Sequence, residues 1–300
     1  MKKVLLVLIV FAVLAAGVGY YIVFSEKVES YVLLSINPEI ELALNEDNNV
    51  VDVLALNDDA DVLISDLKLE GMSIEEATNV IIDEATETGY LDEYSEDNDI
   101  IITTINDDEK VRVDLENKVL TNLNTQLQSN GVASVVVVTG VTEEMKSDAD
   151  LYGISYGKML LVEKALVVNA DLNKENLVTL SVKEIQSLIK DNLTKQNETS
   201  AQTLEEKVQI KEKLKTETKE KIKLYEDKLL EEKGINSTTM TQEQKQEAVN
   251  NASEEKKNEI QNKVNEVQEQ AEQNIQEEQP DNIQDSISAA RNQVQSKGNK

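Results

Sequence analysis

Asn37 and Pro38 are the adjacent pair in this chain whose types carry the most chemistry. Asparagine ordinarily deamidates when the next backbone N–H attacks its side-chain carbonyl. Proline has no N–H, so that route is closed at Asn37. What remains is attack by the Asn37 side-chain nitrogen on its own backbone carbonyl, which forms a succinimide and expels Pro38. Strain in that peptide bond, held by the surrounding strands, would drive the step. The same proline has a plainer reading. It sits between two strand-like segments, where it donates nothing to a ladder and restricts its neighbour, so a bulge or an edge position accounts for it as well.

Other motif matches are weaker. Ser155-Tyr156-Gly157-Lys158 fits the S-x-x-K of penicillin-recognising enzymes, but S-D-N and K-T-G are absent. Gly157-Lys158 is no phosphate loop, because Met159 stands where Ser or Thr is required. Asp148 to Gly153 (DADLYG) starts like a calcium loop, yet its twelfth position is Met159 rather than Glu. The acidic run Asp92 to Asp99 (DEYSEDND) reads as a solvated loop ahead of a weak calcium site.

Composition narrows the classes further. The sequence has no Cys and no His. Disulfides, thiolate metal sites, the commonest general base and the commonest zinc ligand are therefore all missing. No cofactor, no metal and no turnover activity are expected. The formal net charge of −28 repels phosphate backbones and argues against nucleic acid. Both phenylalanines, Phe11 and Phe24, lie in one apolar segment near the start, and there is no Trp. Stacking on sugars or bases thus has little to work with.

The elements that must position Asn37 and Pro38 lie between Val28 and Lys195. Ser30 to Ile36 (SYVLLSI) reads as a buried strand, and Glu39 to Leu44 (EIELAL) alternates with Ile40, Leu42 and Leu44 on one face. A turn at Asn45 to Asn49 leads to a third strand, Val50 to Leu56. Ser73 with Glu76 makes a capping box for a helix that ends at Gly89. Asp99 to Ile105 is a strand, Asp114 to Ser129 a helix stopped by Asn130-Gly131, and Ser134 to Val138 another strand. Helices near Gly157 to Val168 and Ser181 to Asn192 close the unit. Strands and helices interleave around antiparallel neighbours, which predicts an α+β class with a mixed sheet and packed helices.

Residues 1–27 read as a short cytoplasmic stub and an anchor. Val4 to Phe24 (VLLVLIVFAVLAAGVGYYIVF) carries no charge, and as a helix it is about 30 Å long, the thickness of a hydrocarbon core. Lys2 and Lys3 precede it, while Glu26 and Glu29 flank Lys27 behind it. The positive-inside rule places the N-terminus in the cytoplasm and the body outside. The rival reading is a cleaved signal peptide, whose apolar core is usually shorter. The expected location is the plasma membrane of a bacterium, crossed once, with lipid contacted through residues 4–24.

With these segments in view, Val32 to Asn57 (VLLSINPEIELALNEDNNVVDVLALN) resembles the middle domain of RsgI-type anti-sigma factors. That juxtamembrane module is also described as SEA-like and self-cleaving. The resemblance rests on a strand ending in S-I-N-P, then I-E-L, an Asn-containing turn, and a V-V-x-V strand ending in L-N. Ile154 to Val162 and Leu180 to Ile189 resemble its closing helices, so the likeness extends over about residues 28–193. It implies autoproteolysis between Asn37 and Pro38, with the halves held together by strand pairing. It also implies that separating the halves exposes the anchor to an intramembrane protease. The family carries a sigma-binding domain ahead of its membrane helix, where this sequence has Met1-Lys2-Lys3. The expectation is a sensing module without that output domain, unless a start further upstream supplies it.

Residues 196–300 turn to Glu, Gln, Lys and Asn. Leu204 to Leu230 and Gln242 to Gln279 have helical composition, and Ile260, Val264, Val267 and Ala271 follow a 4-3-4 spacing, a short coiled-coil seam. A solvated, partly helical spacer, disordered after Pro280, is the expectation. Deleting it should then leave the melting temperature nearly unchanged. Two functions fit this organisation. One is a membrane-anchored signalling module that cuts only itself. The other is a non-cleaving structural adaptor that reaches the cell wall or a protein partner.

Overall fold

The computed structural model describes residues 27–106, 108–139, 143–197, 202–236, 240–278 and 283–298. The first three strands form a meander: β1 (Ser30–Ser35), β2 (Glu39–Leu44) and β3 (Val50–Ala55). The β2–β3 turn is built by Asn45, whose side-chain oxygen accepts from the N–H groups of Asp47 at 3.1 Å and Asn49 at 2.9 Å. A short helix α1 (Asp58–Leu63) and the longer α2 (Ile74–Glu87) follow. Ser73 and Glu76 form the expected capping box, and Gly89 takes φ +80 to end the turn beyond α2.

β4 (Asp99–Ile105) and β5 (Val135–Thr139) complete the sheet, joined through α3 (Glu109–Ser129). The helix begins earlier than Asp114. Asp108 caps it by accepting from Lys110 and Val111, and Arg112 pairs with Glu109 one turn before it and Glu116 one turn after it. The strand order is β3-β2-β1-β4-β5, antiparallel except for the parallel β4–β5 pair. The α+β expectation holds, with one parallel pair that needs the α3 crossover.

Alternation along the strands fills both faces of the sheet. Val32, Leu34, Ile40, Leu42, Ile100 and Ile102 meet α2 and α3 on one face. Tyr31, Leu33, Leu54 and Ile105 meet the other layer, made of α4 (Glu143–Tyr152), α5 (Tyr156–Val168), α6 (Lys174–Leu177) and α7 (Val182–Asn197). Ser181 and Glu184 close the second expected capping box, at α7. On that face the buried Glu41 of β2 pairs with Lys164 of α5.

The C-terminal third differs from a solvated spacer. Helices α8 (Leu204–Glu232), α9 (Gln242–Glu278) and α10 (Ile283–Gly298) fold back on the body. The 4-3-4 seam is used, against an edge strand of the sheet and the following helix α10. Ile260, Val264, Val267 and Ala271 cover Ala133, Val135 and Val137 of the β5 region, with Ile287 and Ala290 of α10 beside them. Gln268 completes the contact: its side-chain amide accepts from Val136 N–H at 2.7 Å and donates to Val136 C=O at 2.8 Å, occupying the open edge of the sheet. Sparse apolar positions that cannot make a core alone suffice once a strand supplies the partner surface.

Charge seats α8. Lys207 pairs with Asp61 at 2.6 Å, Lys215 with Glu84 and Glu87 at 2.9 and 3.0 Å, and between them Lys211 reaches Asp66, Glu84 and the Leu63 carbonyl. The segment Val4 to Phe24 lies outside the described residues. Among the described residues no helix is long and apolar enough to cross a membrane.

Candidate functional site

The Asn37–Pro38 junction is the tip of the β1–β2 hairpin. Ser35 and Glu39 are the last paired residues, leaving Ile36, Asn37 and Pro38 to reverse the chain. Ile36 N–H donates to Pro38 C=O at 2.8 Å. In an antiparallel ladder the reciprocal bond would run from residue 38 N–H to the Ile36 carbonyl, and proline cannot make it. Asn37 adopts φ +58, a left-handed conformation that costs a non-glycine residue on the order of 1 kcal/mol and that Asn tolerates better than most. Its side chain is exposed, whereas Ile36 and Pro38 on either side are buried.

Both flanks of the tip are fixed. On the upstream side β1 pairs with β4 as far as Ser35–Ile101. On the downstream side Glu39 is held at both backbone atoms. Its carbonyl accepts from Leu56 N–H at 2.9 Å, and its N–H donates to the side-chain oxygen of Asn57 at 3.3 Å. The same Asn57 oxygen accepts from Ala60 N–H at 2.9 Å and so caps α1. In the sequence Asn57 is only the last residue of the V-V-x-V strand ending in L-N, with no role assigned to it. Its one local signal is the Asn-Asp-Asp-Ala order that suits a helix start.

The neighbourhood of α1 is held in turn by Tyr90, whose hydroxyl donates to Asp59 at 3.0 Å; burial, then that carboxylate, pushes its phenol above the ordinary range. On β1 the Tyr31 phenol is pushed up to about 12 by burial and by the carboxylates of Glu41 and Asp52. Both therefore remain protonated around neutrality and serve as packing and hydrogen-bonding groups.

The weaker motifs have structural occupations. Ser155 caps α5 by accepting from Lys158 N–H, and Lys158 donates to the Val178 carbonyl at 2.7 Å. Asp148 and Asp150 lie inside α4 rather than in a loop, and Asp148 pairs with Lys174 at 2.7 Å. The acidic run Asp92 to Asp99 is knitted by the buried Asn98, which donates to the carbonyls of Asp92 and Ala133, both at 2.8 Å. Its carboxylates meet the tail: Glu93 with Lys257, Glu96 with Lys263, and Asp97 and Asp99 with Arg291.

Comparison with known proteins falls on the same region. Residues 29–164 match the family described as the anti-sigma factor RsgI-like central domain. The anti-sigma-I factor RsgI7 of Acetivibrio thermocellus is 33% identical over 162 residues, covering 54% of this chain and 30% of that protein. RsgI5 of the same organism is 28% identical over 162 residues, covering 51% and 33%. The anti-sigma-I factor RsgI of Bacillus anthracis is 30% identical over 151 residues, covering 50% and 33%. The matched part is about a third of the length of these curated relatives. Residues 29–164, from the residue before β1 to the middle of α5 and with the Asn37–Pro38 hairpin at their start, are an RsgI-type central domain.

Proposed function

We propose that this chain is a membrane-anchored extracytoplasmic signalling module that cuts itself once, between Asn37 and Pro38, and keeps the two pieces together through its sheet. The observation that carries the reading is the hairpin tip: an exposed Asn in the left-handed region, joined to a buried proline, with both flanks fixed in the sheet. Asn37 Nδ2 attacks the Asn37 carbonyl carbon, and the bond from that carbon to the Pro38 nitrogen breaks. The proton lost from Nδ2 passes to the proline nitrogen, which leaves as a secondary amine. The first piece ends in a succinimide, which water opens to a C-terminal asparagine or its isomer. No cofactor takes part.

The names of the relatives support a regulatory role. Residues 4–24 would hold the chain in a bacterial plasma membrane with the N-terminus inside. Separation of the pieces would hand that segment to an intramembrane protease, and the body outside would meet a cell-wall component or a protein. The test is mass under denaturing conditions, on chain made by purified translation components so that no protease is present. The native chain is expected as two fragments, ending at Asn37 and starting at Pro38. Asn37→Ala removes the nucleophile and should leave one chain of 33.5 kDa. A native chain that stays whole after folding rejects the reading and leaves the non-cleaving adaptor.

A further inference from the structure

The geometry points to Asn57 as the residue that positions the Asn37–Pro38 bond for cleavage, an inference that rests on the self-cleavage reading above. The register makes its role specific. Ile40 pairs with Ala55, so Glu39 stands opposite Leu56. Leu56 N–H donates to the Glu39 carbonyl at 2.9 Å, and a regular ladder would return the bond from Glu39 N–H to the Leu56 carbonyl. That N–H instead turns to Asn57 Oδ1 at 3.3 Å. A side chain thus replaces the last backbone acceptor of the β2–β3 ladder, one residue beyond the bond to be cut.

The replacement has a mechanical meaning. Asn57 Oδ1 is itself fixed by Ala60 N–H at 2.9 Å, and its backbone is extended at φ −146 and ψ 171 as the α1 cap. Glu39 is therefore tied to the start of a helix whose Ala60, Val62 and Leu63 are buried. Upstream, Ser35 is tied to β4. Between these anchors Asn37 cannot relax from φ +58 without breaking one of them. Without the Asn57 anchor, Glu39 and Pro38 can shift, and the nitrogen and carbonyl carbon of Asn37 spend less time in reacting geometry.

Three substitutions separate positioning from mere stability. Asn57→Asp keeps an acceptor at the same reach. Asn57→Ser keeps a helix cap, but its oxygen is one bond shorter and falls short of Glu39. Asn57→Ala removes both. Cleavage is followed in time after folding in purified translation components. Asn57→Asp is expected near the native rate. Asn57→Ser and Asn57→Ala are expected about ten-fold slower, the factor that loss of one hydrogen bond of about 1.4 kcal/mol allows. Asn57→Ser should do so with a melting temperature lowered by no more than a few degrees, so that the chain is still fully folded where cleavage is followed. In an Asn37→Ala background, where the chain stays whole, amide exchange at Glu39 should quicken with Asn57→Ser and Asn57→Ala and stay slow with Asn57→Asp. Native-rate cleavage in both Asn57→Ser and Asn57→Ala, beside a native chain that is cut, overturns this inference alone. Unchanged exchange at Glu39 overturns it as well. A native chain that is never cut overturns the cleavage reading and this inference with it.

Discussion

A lysine that is 1% exposed must have its charge answered, and Lys211 is answered by Asp66, Glu84 and the Leu63 carbonyl. Burying an ammonium without partners would cost several kcal/mol, so this site forms only when α8 lies along α1 and α2. The hydrogen bond from Lys211 holds the Asp66 carboxyl below its ordinary value of 3.8. A carboxyl lowered by folding adds stability above its unfolded value, and that stability is lost as pH falls through the folded value. The contribution of α8 should therefore fade below pH 3.8. The check is the melting temperature of the full chain minus that of a chain ending at Asn197. The difference should shrink in acid and hold steady between about pH 5 and 8; a difference that grows in acid would contradict the assignment. Residues of this kind differ in how far a sequence shows them. Asn37 and Pro38 stood out because their chemistry follows from two adjacent types. Asn57 bonds 18 residues away and Lys211 reaches Asp66 across 145, so neither partner lies within a sequence window.

Elements with a strong period or cap were legible for local reasons. β2 alternates, α2 and α7 open on capping boxes, and β4 is an apolar run, so each was placed within a residue or two except at the far end of α7. The seam in α9 was equally visible, but its partner was not. β5 reads as a run of valines, and a strand apolar on both faces needs cover on both. Val136 faces the body core, whereas Val135 and Val137 face α9 and α10. The expectation that the tail can be removed without effect therefore gives way to its opposite. Ending the chain at Asn197 re-exposes Val135 and Val137, at about 1.5–3 kcal/mol each before the entropy of the freed helices is credited. It also bares the edge that Gln268 occupies. The melting temperature should fall by about 5 °C or more, and the truncated chain should self-associate through the open strand. Gel filtration beside a thermal melt reads both. An unchanged melt with a monomeric profile would mean that the docking contributes nothing.

At the scale of the whole molecule, the position of β1 decides what one cut can do. Were the chain cut after Asn37 as proposed, the upstream piece would give the described fold little more than β1, and that strand lies in the middle of the sheet between β2 and β4. Val32, Leu34 and Ile36 bury one of its faces against α2 and α3, while Tyr31 and Leu33 bury the other against the α5–α7 layer. Each ladder hydrogen bond adds about 0.5–1.5 kcal/mol net, and each large apolar side chain about 1.5–3 kcal/mol. That total holds a strand firmly without a covalent link, yet it is lost together once the sheet opens. The tail is wholly on the downstream piece, and its docking stabilises β5 and, through Arg291 and Asp99, the start of β4. It thus reaches β1 only at one remove, by way of β4 and of α2, on which α8 is seated. Co-purification in native buffer is therefore expected, followed by loss of the upstream piece in urea at the same midpoint as global unfolding. Leu34→Ala, which empties a fully buried position at the centre of β1, should lower that midpoint by the equivalent of about 2–5 kcal/mol. Deleting the tail should lower it less, because no tail residue touches β1 among the contacts described. Gel filtration across a urea series, with each fraction weighed under denaturing conditions, measures both. Pieces that part in native buffer, or well below the unfolding midpoint, would show that the sheet does not retain its central strand.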